Sequence, residues 1–296
     1  MATADVAQPI DIAPIEPNPS LQHEKSTPHN VQTTMKYYLE PEDGSPPAPT
    51  IYNRPETFAK PFIEVPVLVT DITGNENTYT LDNHGFQLHR HESNEKAFDD
   101  DTRIKTEYYA ETEQLLKDAT GATRILIFDH TIRRPARADG STDSASVSPR
   151  GPVRSVHVDQ SYSAALSRVA HHLPDEAEQL LQNRFQIINV WRPIKTIYKD
   201  PLAVADGNSV LDADLVAIPL IYPARNGETY SVKPNPAHRW YFKYAQKPDE
   251  VLLIKCFDTN EGPGVARRAP HSSFRDLAEE GKSERESIEV RCLVFY

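Results

Sequence analysis

VRSVHVD, residues 153–159, alternates polar and apolar side chains as a half-buried strand does, and so sets His157 and Asp159 on one face. Two side chains on one face of a strand can converge on a single point. A neutral imidazole and a carboxylate, joined by one distant histidine, are the ligands of the facial triad that holds Fe(II) on one side. The other side stays open for a co-substrate and dioxygen. His271 is the favoured third ligand, because it follows the apolar run 250–258 and the turn EGPG and precedes an Arg-x-Ser. His238 and His130, each next to an apolar run, are its rivals.

Arg285, Ser287, Glu289 and Arg291 share one face of the final apolar run by period two. A guanidinium and a hydroxyl can grip a carboxylate, and a buried Arg needs an anionic partner. Arg285 with Ser287 is the first choice for the distal carboxylate of 2-oxoglutarate and Arg291 the second, with Glu289 as the alternative partner within the protein. In INVWRP (188–193), Asn189 and Trp191 face one side and Arg192 the other, so one set alone can face a pocket.

Outward from this stretch the chain is rich in strands. The runs TTMKYYL (33–39), FIEVPVLVT (62–70), TRILIFD (123–129), FQIINVW (185–191), DLVAIPLIY (214–222), HRWYFKY (238–244), EVLLIKCFD (250–258) and SIEVRCLVFY (287–296) are short and separated by turn residues. Pro66 suits an edge strand. A hairpin is expected over 78–93 with its bend near Asn83 and Gly85. Helices are expected over 101–116, 163–170 and 175–184, and a loop or lid over 136–151. The expected fold is mainly β with flanking helices, a double-stranded β-helix (jelly roll). Residues 1–30 read as a flexible tail and 31–296 as one domain.

With 25 prolines against 11 glycines the chain favours strands and loops over long helices. A net charge of −11 argues against nucleic acid and anionic membranes as partners. No apolar run approaches the roughly 20 residues a membrane helix needs. The N-terminal segment has no basic region and no apolar stretch, so no signal peptide is expected. Cys256 and Cys292 sit in apolar runs and read as buried thiols rather than a disulfide. The expectation is a cytoplasmic enzyme acting on a small molecule, with a homodimer open to test.

IFDHTIRR (127–134), VRSVHVDQSY (153–162), RFQIINVWRPI (184–194), HRWYF (238–242), EVLLIKCFDT (250–259), APHSSFRD (269–276) and RESIEVRCLVFY (285–296) together resemble a family of secondary-metabolite oxygenases. It includes AsaB-like hydroxylase/desaturases, the fungal gibberellin desaturase and the cephamycin methoxylase small chain. The resemblance implies a double-stranded β-helix that uses Fe(II), 2-oxoglutarate and dioxygen for hydroxylation, desaturation or oxidative cyclisation. It implies His157, Asp159 and His271 as iron ligands, and Asn189, Trp191, Arg192 and His130 as pocket residues. The long interval between Asp159 and His271 implies an insertion within 195–250. An accessory, substrate-binding subunit and a cupin-like metal hydrolase or isomerase are the alternative readings.

Overall fold

The computed structural model describes residues 27–135, 151–223 and 225–296. Two sheets carry the fold. The larger has nine strands in the order β1 (Val31–Tyr38), β3 (Phe62–Asp71), β11 (Trp240–Phe242), β8 (Leu202–Ala205), β13 (His271–Ser273), β6 (His157–Val158), β10 (Asn226–Val232), β9 (Leu215–Ile221) and β2 (Thr50–Ile51). The smaller has five, in the order β4 (Phe86–Arg90), β12 (Glu250–Asp258), β7 (Phe185–Pro193), β14 (Ser287–Phe295) and β5 (Arg124–Arg133).

The small sheet is buried on both faces, which is why its strands read as near-continuous apolar runs. On its outer face Ile188, Val190, Val251, Leu253, Ile288 and Val290 pack against Ile104, Tyr108, Leu115 and Leu116 of a covering helical segment. On its inner face Phe185, Ile187 and Leu293 meet Val158 and Tyr230, while Trp191, Leu252 and Ile254 meet Leu202 and Val204. Both sets of partners come from the large sheet, so the second core lies between the sheets, as in a jelly roll.

The covering segment is α2 (Asp101–Arg103), a π-turn over Ile104–Tyr108 and α3 (Tyr109–Thr120). The Asp100 carboxylate accepts from the Thr102 and Arg103 backbone N–H groups and so starts it. The helix expected over 163–170 is longer, α4 (Tyr162–His172), with Ser161 as its N-cap. The one expected over 175–184 is a single turn, α5 (Ala177–Leu180).

The hairpin expected over 78–93 does not form. Thr80 caps a short helix, α1 (Leu81–His84), which Gly85 stops at φ 82° before β4 begins. Local capping chemistry overrides the alternating pattern there. Pro66 sits where expected: β3 has a second neighbour only from Val69 onward, so it is an edge strand at Pro66. Of the tail expected over 1–30, residues 1–26 lie outside the described residues, and His29 is held: its Nε2 lies 2.6 Å from the Asp276 carboxylate and its ring stacks on Tyr244 at 3.9 Å. The loop expected over 136–151 lies outside the described residues but for Gly151.

Gly207 meets the chain just before β13. A Cβ there would run into the carbonyl oxygen of Arg268, a backbone atom with no freedom to swing away. Gly207→Ala is therefore expected to destabilise the protein by about 1–3 kcal/mol, as overpacking does, and to weaken metal binding by shifting His271. Urea denaturation of the metal-free variant measures the first effect.

Candidate metal centre

The metal centre is built on a single register. His157 of β6 and His271 of β13 are opposite one another across antiparallel strands, and their ring centroids lie 4.5 Å apart. Asp159 follows His157 by one pleat, with its Oδ1 3.5 Å from His157 Nε2. One ligand atom from each of His157, Asp159 and His271 lies within 4.8 Å of the others. The structure thus brings together three residues separated by as much as 114 positions in the chain (271 − 157).

Each imidazole is aimed. Nδ1 of His157 lies 2.8 Å from the Ser155 carbonyl and Nδ1 of His271 lies 3.2 Å from that of Ala269. A carbonyl only accepts, so Nδ1 carries the proton in both rings and Nε2 keeps its lone pair for a metal. Burial, with His271 alongside, pushes the His157 imidazole down to about 4. Burial likewise lowers His271. Burial opposes ionisation of Asp159, yet Arg291 and the two imidazoles hold its carboxyl well below the usual range. At neutral pH all three are in the protonation state that a metal requires.

The remaining oxygen of Asp159 is fixed by the small sheet. Its Oδ2 accepts from Asn189 Nδ2 at 2.7 Å and from Arg291 Nε at 2.9 Å, which leaves Oδ1 facing His157. Asn189→Ala is expected to weaken Fe(II) binding by about 10–100-fold, the usual cost of losing an outer-shell partner. Equilibrium dialysis measures it.

The two arginines differ. Arg291 also donates to Asp129 Oδ1 at 2.9 Å, Thr131 Oγ1 at 3.2 Å and Glu289 Oε1 at 2.6 Å. Its guanidinium is thus already paired with Asp159, Asp129 and Glu289 within the protein. Arg285 is buried beneath Trp191, with its guanidinium carbon 5.6 Å from the ring. It donates one hydrogen bond, from Nη1 to the Asp200 carbonyl at 2.9 Å, and its Nε has no partner. The Asp200 carboxylate is engaged by Arg154 at 2.6 Å. Burial and the nearby Arg133 push the Arg285 guanidinium down to about 10. A buried cation with an unpaired donor is chemically suited to a carboxylate. Ser287, also buried, lies two residues further along the same face.

Arg192 is elsewhere. It points to the outer face of β7, where Nε donates to Tyr108 Oη at 2.9 Å and Nη1 to the carbonyls of His91 and Pro248. It is therefore corrected from pocket residue to anchor of the covering helix. His130 is also on that face, with Nδ1 2.8 Å from the Tyr109 hydroxyl. His238 is held by Tyr37 and Asp214. Neither joins the metal cluster. Asp129 and Thr131, which sequence reading passed over, were signalled by the switch from apolar to alternating polar residues in IFDHTIRR.

Residues 35–295 match the domain family described as "Oxidoreductase/YMDC permease-like domain". A hydroxylase/desaturase of Hormonema carpetanum, efuI, is 39% identical over 287 residues, covering 90% of this chain and 95% of that one. The alpha-ketoglutarate-dependent dioxygenase tstK of Talaromyces stipitatus is 32% identical over 269 residues, covering 90% and 97%. The solved structure of the iron and alpha-ketoglutarate-dependent endoperoxidase NvfI superposes with a TM-score of 0.77 at 25% identity, covering 90% of this chain and 98% of that one.

Proposed function

This chain belongs to the hydroxylase/desaturase family of iron(II)- and 2-oxoglutarate-dependent oxygenases, and from that premise we propose that it oxidises a secondary-metabolite small molecule at the His157–Asp159–His271 cluster. The observation that carries this reading is the cluster's geometry. Three ligand atoms of the types Fe(II) takes lie within 4.8 Å, and both histidines have Nε2 free of protons. The donor set fits the cofactor pair, since Arg285 offers an unpartnered Nε to a second carboxylate.

Bound there, Fe(II) with 2-oxoglutarate and dioxygen supplies the oxidation of an unactivated C–H bond, with decarboxylation of the co-substrate to succinate. The protein's own residues position. His157, Asp159 and His271 would hold the metal on one face, and Asn189 and Arg291 fix the ligand oxygen of Asp159. Arg285, with Ser287, would orient the distal carboxylate, and Trp191 covers the Arg285 guanidinium from water. The inner-face side chains Leu252, Ile254 and Trp191 keep the adjoining space dry, which strengthens each charge contact within it. Hydroxylation, desaturation and cyclisation share these requirements and differ in where the substrate carbon is held.

The test is release of labelled CO2 from 2-oxoglutarate carboxyl-labelled at C1, with Fe(II) and dioxygen. Turnover by the wild-type protein and none by His157→Ala supports the reading; equal release by both removes it.

A cytoplasmic location is part of the same proposal, supported by two buried unpaired thiols, Cys256 and Cys292. Among the described residues no helix is long and apolar enough to cross a membrane. For assembly we propose a homodimer, supported by the exposed apolar side chains Phe58, Phe62, Ile63 and Leu68 on and beside the β3 edge. Light scattering that returns the mass of one chain sinks that part.

A further inference from the structure

Arg168 and His172 lie one turn apart on α4, and both reach the ring of Phe128 on β5. The Arg168 guanidinium carbon sits 5.0 Å from the ring centroid, and the His172 ring stacks on it at 5.3 Å. Arg225, just before β10, lies against Tyr222 at 4.5 Å. Arg168 and Arg225 are half-buried cations and His172 is a half-buried neutral imidazole, and the Asp129 carboxylate acts on Arg168 and His172 without an ion-pair contact. Arg168 makes one hydrogen bond, 3.3 Å to the neutral Gln160 Oε1, and Nε2 of His172 is buried without a partner. Among the described residues neither Arg168 nor Arg225 has a carboxylate within ion-pair distance.

That is a departure to explain. The chain carries 43 acids against 32 Lys and Arg, so acid partners are plentiful, and among the described residues the half-buried Arg124, Arg134, Arg154, Arg184, Arg267 and Arg291 each pair with one. Burying a cation without a partner is costly. Burial and the neighbouring Arg225 press the Arg168 guanidinium below its ordinary value, and the His172 imidazole falls to about 4 under burial and the cations around it.

The cluster also adjoins the metal centre. Gln160, which holds Arg168, follows Asp159 directly, and Phe128 precedes Asp129, whose carboxylate accepts from Arg291, itself bonded to Asp159. We propose that Arg168 and His172 on Phe128, together with Arg225 on Tyr222, form the seat for a carboxylate carried by the substrate. Phe128 and Tyr222 would take an apolar body next to it, and a planar guanidinium suits a carboxylate fork. The substrate class is thus a carboxylated, largely apolar small molecule. Its role as substrate rests on the oxygenase reading; the anion seat itself does not.

Titration of the iron-free protein with naphthalene-2-carboxylate and with the neutral naphthalene-2-carboxamide tests the seat. The wild type is expected to bind the carboxylate at least about tenfold tighter, a difference of about 1.4 kcal/mol. That preference falls to within about twofold in Arg168→Gln and in Arg225→Gln, and survives in Arg285→Gln, which clears the 2-oxoglutarate site of responsibility. Arg225→Gln decides the matter should Arg168→Gln fail to fold. Equal binding of the two probes, binding of neither, a preference that survives both glutamine variants, or one lost only in Arg285→Gln overturns the proposal. No iron is present in these titrations, so a failure here leaves the oxygenase reading standing.

Discussion

Asp159→Ala is expected to lose stoichiometric Fe(II) binding altogether, an effect beyond the about 10–100-fold that an outer-shell partner contributes. Asp159 is both a ligand and the acceptor that draws Arg291 toward the centre, through a 2.9 Å contact to Oδ2. Removing it leaves Arg291 with Asp129 and Glu289 as partners. The fold is therefore expected to survive with a loss of about 1–3 kcal/mol, the cost of buried groups left short of a partner. His271→Ala separates the two roles. It removes a ligand without touching an ion pair, so it is expected to lose the metal with a smaller change in urea midpoint. Dialysis against Fe(II), paired with denaturation of both metal-free variants, checks the distinction. Retained iron in either variant would move the centre away from this cluster.

Arg285→Gln is the second large effect, and its sign depends on what is bound. Without 2-oxoglutarate, Arg285 is a buried cation with one carbonyl contact and an idle Nε. Replacing it by a neutral side chain is expected to leave the thermal midpoint unchanged or higher, as removal of an uncompensated buried charge does. With 2-oxoglutarate, the wild type gains a charge-assisted pair worth about 2–5 kcal/mol, so the variant is expected to bind the co-substrate at least about thirtyfold more weakly. Arg291→Gln should behave oppositely. It strands Asp159, Asp129 and Glu289 and is expected to destabilise the protein whether or not co-substrate is present. Thermal shifts with and without 2-oxoglutarate, run on both variants, compare the two arginines directly. A midpoint for metal-free Arg285→Gln well below wild type would contradict the assignment.

The strands of the small sheet were legible in the sequence because they are buried on both sides, so β7 and β12 appear as near-continuous apolar runs and β14 as one from Cys292 onward, after an alternating start. The same logic fails for the strands that carry the metal ligands. β6 has two residues and β13 has three, too few for any period to register. His157 and Asp159 were nonetheless readable as a pair, since their spacing alone places them on one face. His271 came from its position after a long apolar run, and the across-strand register with His157 is a tertiary fact that no local pattern encodes.

The short helix at 81–84 was misread because a capping threonine and a positive-φ glycine act over four residues, below the reach of periodicity. Parity did help at β7. It stated that Asn189 and Trp191 oppose Arg192, and the structure turns the first two inward and gives Arg192 to Tyr108 and His91. The arginine carboxylate clamp split the same way. Sequence ranked Arg285 above Arg291 without a means to choose; the choice lies in partners, since one guanidinium is surrounded by acids and the other has none hydrogen-bonded to it.

The most direct test of the whole account is anaerobic titration of the Fe(II)-loaded protein with 2-oxoglutarate, followed by visible absorption. The account predicts a weak charge-transfer band in the wild type that saturates at one equivalent and is absent from His157→Ala. A folded, iron-loaded wild-type protein that gives no band, or a band that persists unchanged in His157→Ala, would contradict it.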